Sequence, residues 1–171
     1  VMLSGESASG QYPIEAVSMM TSICLETERN LQLRSKYHDR GSIVRNVAGL
    51  IGFSGTQIAE SVNASAIICP TFSGRTARLI SNFRPHVNII AASPNLPTVR
   101  RCCFFWGVDG FLMAETHGLN EQVEASLAIA KKHHLVMEGD LVVVTAGNSQ
   151  LAPHEEDYTS STNMVVVAQV A

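Results

Sequence analysis

The chain has 171 residues, of which 46% are hydrophobic and 16% charged, and its formal net charge is −3. That is enough for one domain with a real core and too little for two large ones. With no basic cluster interleaved with aromatics, no apolar run of membrane-spanning length and no signal peptide, the reading is no nucleic-acid partner, no membrane partner and a cytoplasmic protein.

The opening residues, Val1-Met2-Leu3-Ser4-Gly5, have the character of a buried strand end and predict a piece cut from something longer. A Ser/Gly-rich loop follows to Gly10, and Tyr12-Pro13 then opens a helix with proline near its first turn, where a missing N–H is harmless. Ala16, Met20 and Ile23 recur at helical spacing and carry this helix to about Glu28. Residues 30–42 are polar and mixed in charge, and are expected to form an exposed connection. Ile43 to Asn63 is a second helical region with Val44, Val47 and Ile51 on one face, and Gly52-Phe53-Ser54-Gly55 predicts a break or kink in it.

The most informative stretch is 65–85, SAIICPTFSGRTARLISNFRP. Ala66-Ile67-Ile68-Cys69 reads as a buried strand that passes through Pro70-Thr71 and Ser73-Gly74-Arg75-Thr76 into a helix. Hydroxyls and free backbone N–H groups thus gather at a helix N-terminus, where the macrodipole favours an anion. Arg75 and Arg78 stand in that first turn. Thr71, Ser73, Gly74, Arg75 and Thr76 are therefore the candidate anion-binding residues. The same residue types also serve as an ordinary helix cap, and spacing alone leaves both readings open.

Phe83-Arg84-Pro85 ends this helix, and Val87 to Ala91 forms the next strand, apolar enough to be covered on both faces. Leu96 to Phe105 reads as a helix and Gly110 to Ala114 as a third strand. Asn120 is placed to cap the following helix, whose core face carries Val123, Leu127 and Ala130, with His134 expected on that face too. Leu141 to Thr145 is a fourth strand, residues 146–162 a long polar loop, and Met164 to Val170 a fifth strand. Strands alternating with helices predict an α/β fold: a three-layer α/β/α arrangement with a five-stranded, mostly parallel sheet. The helix-free link between the last two strands favours an antiparallel final pair. Ligands on such sheets sit outside the carboxyl ends of the strands, which brings Thr71 and the loop Ala146 to Thr162 toward one pocket. The four cysteines, Cys24, Cys69, Cys102 and Cys103, form no Cys-x-x-Cys pair, so small core residues or incidental thiols are expected rather than a zinc or redox centre.

These residues carry a family resemblance. Val1-Met2-Leu3-Ser4-Gly5-Glu6-Ser7, Gly10 and Tyr12-Pro13-Ile14-Glu15-Ala16-Val17 resemble the last barrel strand and following helix of pyruvate kinase. Thr71-Phe72-Ser73-Gly74-Arg75-Thr76-Ala77-Arg78, Phe83-Arg84-Pro85, Trp106-Gly107-Val108, Gly139-Asp140 and Thr145-Ala146-Gly147 resemble its C-terminal domain, in the same order. The resemblance implies a barrel remnant at 1–28 and a C-terminal α/β regulatory domain at 29–171. Pyruvate kinase is a glycolytic transferase that moves a phosphoryl group from phosphoenolpyruvate to ADP with Mg²⁺ and K⁺. It does so on a (β/α)₈ barrel of which this chain would keep only the last strand end. The fragment is thus expected to lack catalytic residues, to bind neither metal, to be inactive alone, and to serve effector binding and assembly of a homotetramer. Ser4 and Glu6 resemble residues at the edge of the family's active site, but a polar loop with a carboxylate at a helix start is the preferred reading.

In members activated by a sugar bisphosphate, a phosphate is held by the turn matching Thr71, Phe72, Ser73, Gly74 and Thr76. Here Phe72 stands where some members have a phosphate-binding lysine, and Gln122 falls near the place of a phosphate-binding arginine. The loop Asn148 to Ser161 carries Glu155-Glu156-Asp157 and no glycine, and three carboxylates would repel a bisphosphate. Activation by a sugar bisphosphate is therefore not expected, though a monophosphate or another anion could still bind. The alternative is a free-standing, non-catalytic domain that binds a phosphorylated metabolite. A hydrolase built on Ser54 or Ser7 has no supporting context: Gly52-Phe53-Ser54-Gly55 lacks the spacing and the preceding strand of a nucleophile elbow.

Overall fold

The computed structural model describes residues 1–30, 46–116, 118–147 and 162–171. The expected connection at 30–42, the start of the second helix including Val44, and the acidic stretch Glu155-Glu156-Asp157 lie wholly or almost wholly outside these residues. The chain divides into two compact units, Val1–His38 and Asp39–Ala171.

In the first unit the predicted strand end is absent. Val1 and Met2 are exposed, and Ser4 leads into a single helical turn, α1 (Gly5–Ala8). An extended segment becomes a strand only where a neighbour completes its ladder of hydrogen bonds, and the regular elements among the described residues of this unit are helices. The Glu6 carboxylate accepts the Ser4 N–H at 3.0 Å, and it is held below the usual carboxylate range by its own backbone N–H first and that of Ser4 second. The carboxylate at a helix start is the arrangement found. Helix α2 (Pro13–Asn30) opens on proline; Ala16, Met20 and Cys24 lie on its half-buried side, whereas Ile23 is exposed.

The first described helix of the second unit is α3 (Val47–Ser61), capped by Asn46, whose Oδ1 accepts the Gly49 N–H at 2.8 Å. The predicted break at Gly52–Gly55 does not occur. A Cβ on Gly52 would come within 3.2 Å of Ile80 Cγ1, and one on Gly55 within 3.6 Å of Thr145 Cγ2. These glycines let the helix approach its neighbours closely, and that packing outweighs the roughly 1 kcal/mol each loses in helix propensity.

Strands and helices then alternate: β1 (Ala66–Pro70), α4 (Arg75–Asn82), β2 (Asn88–Ser93), α5 (Leu96–Cys102), β3 (Val108–Leu112), α6 (Leu119–Lys132), β4 (Leu141–Gly147) and β5 (Thr162–Gln169). The sheet order is β3-β2-β1-β4-β5, parallel except for the antiparallel β4–β5 pair. On one face Ile67, Cys69, Ile89, Ala91 and Val143 pack with Ala59 of α3, Ala77 and Ile80 of α4 and Cys102 of α5. On the other, Ala66, Ile68, Ile90, Val142 and Val144 pack with Ala130, Val123 and Leu127 of α6. This is the expected three-layer α/β/α fold. No helix among the described residues is long and apolar enough to cross a membrane.

Two local expectations fail near α6. Its N-cap position is Gly118, not Asn120, which lies inside the first turn. His134 is exposed at φ +55, beyond the helix end, because the Leu135 N–H turns back to the Ala130 carbonyl. The helical period on which its core placement rested stops at Lys132.

Candidate functional site

The reversal of strand order between β1 and β4 leaves a crevice outside the carboxyl ends of the strands. A cleft of about 210 Å³ opens at this end of the sheet. Its walls are Pro70–Ser73, Arg75 and Thr76 from the β1–α4 turn, Pro94 after β2, Met113–Thr116 after β3, Gln122 of α6, Gly147 and Thr162. Thr71, Ser73, Arg75 and Thr76 are thus brought together as the sequence predicted, and the two ends of the β4–β5 link meet them.

Within the turn, the Thr71 N–H is anchored to the Ala92 carbonyl at 2.8 Å, while its Oγ1 accepts the Gly74 N–H at 3.0 Å. A hydroxyl that accepts in this way keeps its own proton available to donate. Gly74 plays a different part from the one expected: its N–H is engaged by Thr71, and it lies buried behind the cleft at φ +78. Its missing side chain makes room for Cys102 Sγ, 3.2 Å from where a Cβ would stand, and for Thr98 Cγ2 at 3.5 Å. The Thr76 hydroxyl is also engaged, paired with Thr162 Oγ1 at 2.8 Å, and both residues are buried. Ser73 is exposed at the rim. Arg75 lines the cleft; Arg78, one turn on, does not.

The Phe72 ring is 71% exposed at the mouth, so it supplies apolar surface and no donor. Its carbonyl accepts two bonds from the neighbouring βα unit, from Asn95 Nδ2 at 3.2 Å and Thr98 Oγ1 at 2.9 Å. Gln122, which the resemblance set near an arginine position, lines the cleft, and its Oε1 is buried with no hydrogen-bond partner among the described residues. Of the lining side chains, Arg75 and Glu115 carry charges of opposite sign. Beneath the turn, burial pushes the Cys69 thiol up to about 12, against a smaller opposing effect of the Thr145 hydroxyl. Burial likewise raises Cys102, with Cys103 adding to the shift and Arg101 opposing it.

Sequence reading missed Asn95, Thr98 and Glu115 as members of this region, whereas Thr162 closes the 146–162 loop that it placed there. The rule that selects carboxyl strand ends applies to β3 as well as β1, and it would have found Glu115; Asn95 and Thr98 meet the turn only through the register that sets β2 beside β1. Thr162 follows from the antiparallel last strand, which must start where its partner ends.

Comparison with known proteins gives a consistent result. The family model described as "Pyruvate kinase, alpha/beta domain" matches residues 50–168. A pyruvate kinase of Staphylococcus epidermidis is 38% identical over 148 residues, which is 86% of this chain and 25% of that protein. One from Staphylococcus aureus is 37% identical over 168 residues, 98% of this chain and 28% of that protein. A crystal structure of a pyruvate kinase from Cryptosporidium parvum superposes with a TM-score of 0.81 at 30% identity, covering all of this chain and 33% of its own. The chain therefore spans about a quarter of the length of the curated relatives it matches.

Proposed function

The chain belongs to the pyruvate kinase family, and from that premise we propose that it supplies effector binding and subunit assembly to a phosphotransferase whose chemistry lies elsewhere. The reaction is transfer of a phosphoryl group from phosphoenolpyruvate to ADP. It requires metal ions, a cationic clamp and in-line placement of donor and acceptor. Among the described residues no three His, Cys, Asp or Glu side chains come together as a group that could hold a metal ion, and the metal-dependent chemistry is proposed to lie outside this chain. No step of the reaction is assigned to this chain, and the chain alone is inactive.

The observation that carries the effector reading is the β1–α4 turn: a cleft at the switch point of the sheet, faced by hydroxyls and by the N-terminus of α4. Such a terminus contributes roughly 0.3–1 kcal/mol toward an anion, and each charge-assisted hydrogen bond about 1.5–3 kcal/mol. Ordering of the turn offsets much of this, which leaves an affinity near millimolar, about −4 kcal/mol. Arg75 and Glu115 nearly balance one another, Phe72 adds no charge, and Gln122 offers a neutral acceptor in place of a cation. The ligand is thus a monophosphate with hydroxyl or amino donors, rather than a bisphosphate. Titrating inorganic phosphate and a sugar bisphosphate into ¹⁵N-labelled chain tests this. Saturable shifts at the amides of residues 73–76 are expected with phosphate, with no tighter binding of the bisphosphate. Amides that stay still while Thr71→Ala lowers stability would make the turn a cap and nothing more.

A further inference from the structure

Resting on the anion reading above, we propose that Asn95 and Thr98 are positioning residues for the cleft: they hold the Phe72–Ser73 peptide so that its N–H faces the space a phosphate would fill. A trans peptide is planar, with its C=O and N–H pointing in opposite directions. The Phe72 carbonyl receives both Asn95 Nδ2 and Thr98 Oγ1, at 3.2 and 2.9 Å. A carbonyl oxygen has two lone pairs, so this acceptor is filled from the α5 side and the Ser73 N–H is directed away from α5. No acceptor for that N–H is found among the described residues. The next amide, that of Gly74, is engaged by Thr71 Oγ1.

Asn95 behaves unusually for its position. It is the N-cap residue of α5, where an asparagine oxygen ordinarily accepts a first-turn N–H, yet it makes no side-chain cap bond. Its amide reaches across to the β1–α4 turn instead, and its own N–H is donated to Ser93 Oγ at 3.2 Å. Thr98 is buried, so flipping the 72–73 peptide would strand its hydroxyl away from water as well as the asparagine amide. The neighbouring βα unit, whose Pro94 also lines the cleft, therefore sets the direction of a donor in the adjoining turn.

The test compares the parent chain with Thr98→Val, Thr98→Ser and Asn95→Ala, using ¹³C,¹⁵N-labelled protein titrated with inorganic phosphate. Thr98→Val and Asn95→Ala are each expected to move the Phe72 carbonyl ¹³C resonance and to weaken phosphate binding about fivefold, the loss of one net hydrogen bond's worth of order. Thr98→Ser is expected to restore both. Unchanged phosphate affinity in a folded Thr98→Val or Asn95→Ala chain overturns the proposal, as does equal weakening by Thr98→Val and Thr98→Ser. Should Thr98→Val fail to fold, Asn95→Ala at its half-buried turn carries the same measurement. A parent chain whose Ser73 amide ignores phosphate overturns the anion reading and this assignment with it, whereas a responsive parent with indifferent variants overturns this assignment alone.

Discussion

Gly74→Ala probes the turn behind the cleft most directly. At φ +78 a residue with a Cβ is disfavoured by roughly 1–2 kcal/mol. The new methyl would also stand 3.2 Å from the buried Cys102 Sγ, 3.5 Å from Thr98 Cγ2 and 3.7 Å from Phe105 Cε2. Overpacking of this kind costs about 1–3 kcal/mol. Restricting the unfolded chain returns about 0.4–1 kcal/mol. The net expectation is a loss of about 2 kcal/mol, a large share of the roughly 5–15 kcal/mol that holds a typical domain folded. Urea denaturation followed by circular dichroism reads this as a lower midpoint at unchanged slope. A double-mutant cycle with Cys102→Ala separates the two causes, because removing Sγ relieves the steric part and leaves the backbone part. A favourable coupling of about 1 kcal/mol is expected. A Gly74→Ala chain within about 0.5 kcal/mol of the parent refutes the reasoning, and strict additivity refutes its steric half.

Three further outcomes follow from the same structure. In a coupled assay with phosphoenolpyruvate, ADP, Mg²⁺ and K⁺, the chain alone should show no turnover above a no-protein control, and real turnover in a preparation free of host kinase would refute the assignment of chemistry elsewhere. The chain should self-associate at tens of micromolar, roughly where a standard interface persists, since Leu50 of α3 and Val167 of the edge strand β5 are exposed; a clean monomer on sedimentation contradicts this. Stability should fall in alkali. Burial raises the Cys69 thiol from 9.0 to about 12 in the folded chain, so above pH 9 the unfolded state releases a proton that the native state keeps. The stabilisation is complete below pH 9 and is lost up to pH 12, by at most about 1.4 kcal/mol per pH unit. Urea midpoints compared at pH 7 and 10 should converge for the parent and Cys69→Ala as pH rises; a constant gap would count against it.

The sheet was legible because each strand is a short apolar run bounded by turn residues, and the lack of a helical sequence pattern between the last two strands pointed to the antiparallel pairing that is found. The errors have a common origin: a local rule applied where a tertiary contact decides. Gly52 and Gly55 look like helix breakers and are contact surfaces. Val1–Leu3 has strand composition, but no strand among the described residues pairs with it. His134 continues a period that the helix abandons two residues earlier. At the cleft, Thr71, Ser73, Arg75 and Thr76 could be found because one strand–turn–helix segment carries them all. Asn95 and Thr98 could not, because only the parallel register that sets Pro70 beside Ala92 brings the end of β2 against that turn.

That register also separates two properties of the turn that the sequence presents as one. The direction of its backbone depends on the Phe72 carbonyl, held by Asn95 and Thr98, and on the Gly74 N–H, held by Thr71. Neither bond involves the Phe72 side chain, whose ring stands in solvent at the mouth. Residue 72 is therefore free to be apolar or cationic without disturbing the cradle beneath it. Gln122 has comparable freedom, because it reaches the cleft from α6, on the opposite face of the sheet from α4. On the proposed anion reading, a fold built this way keeps one recess constant while the charge around it varies: lysine at position 72 with arginine at 122 would favour a second phosphate, whereas phenylalanine and glutamine would favour a ligand whose far end is neutral.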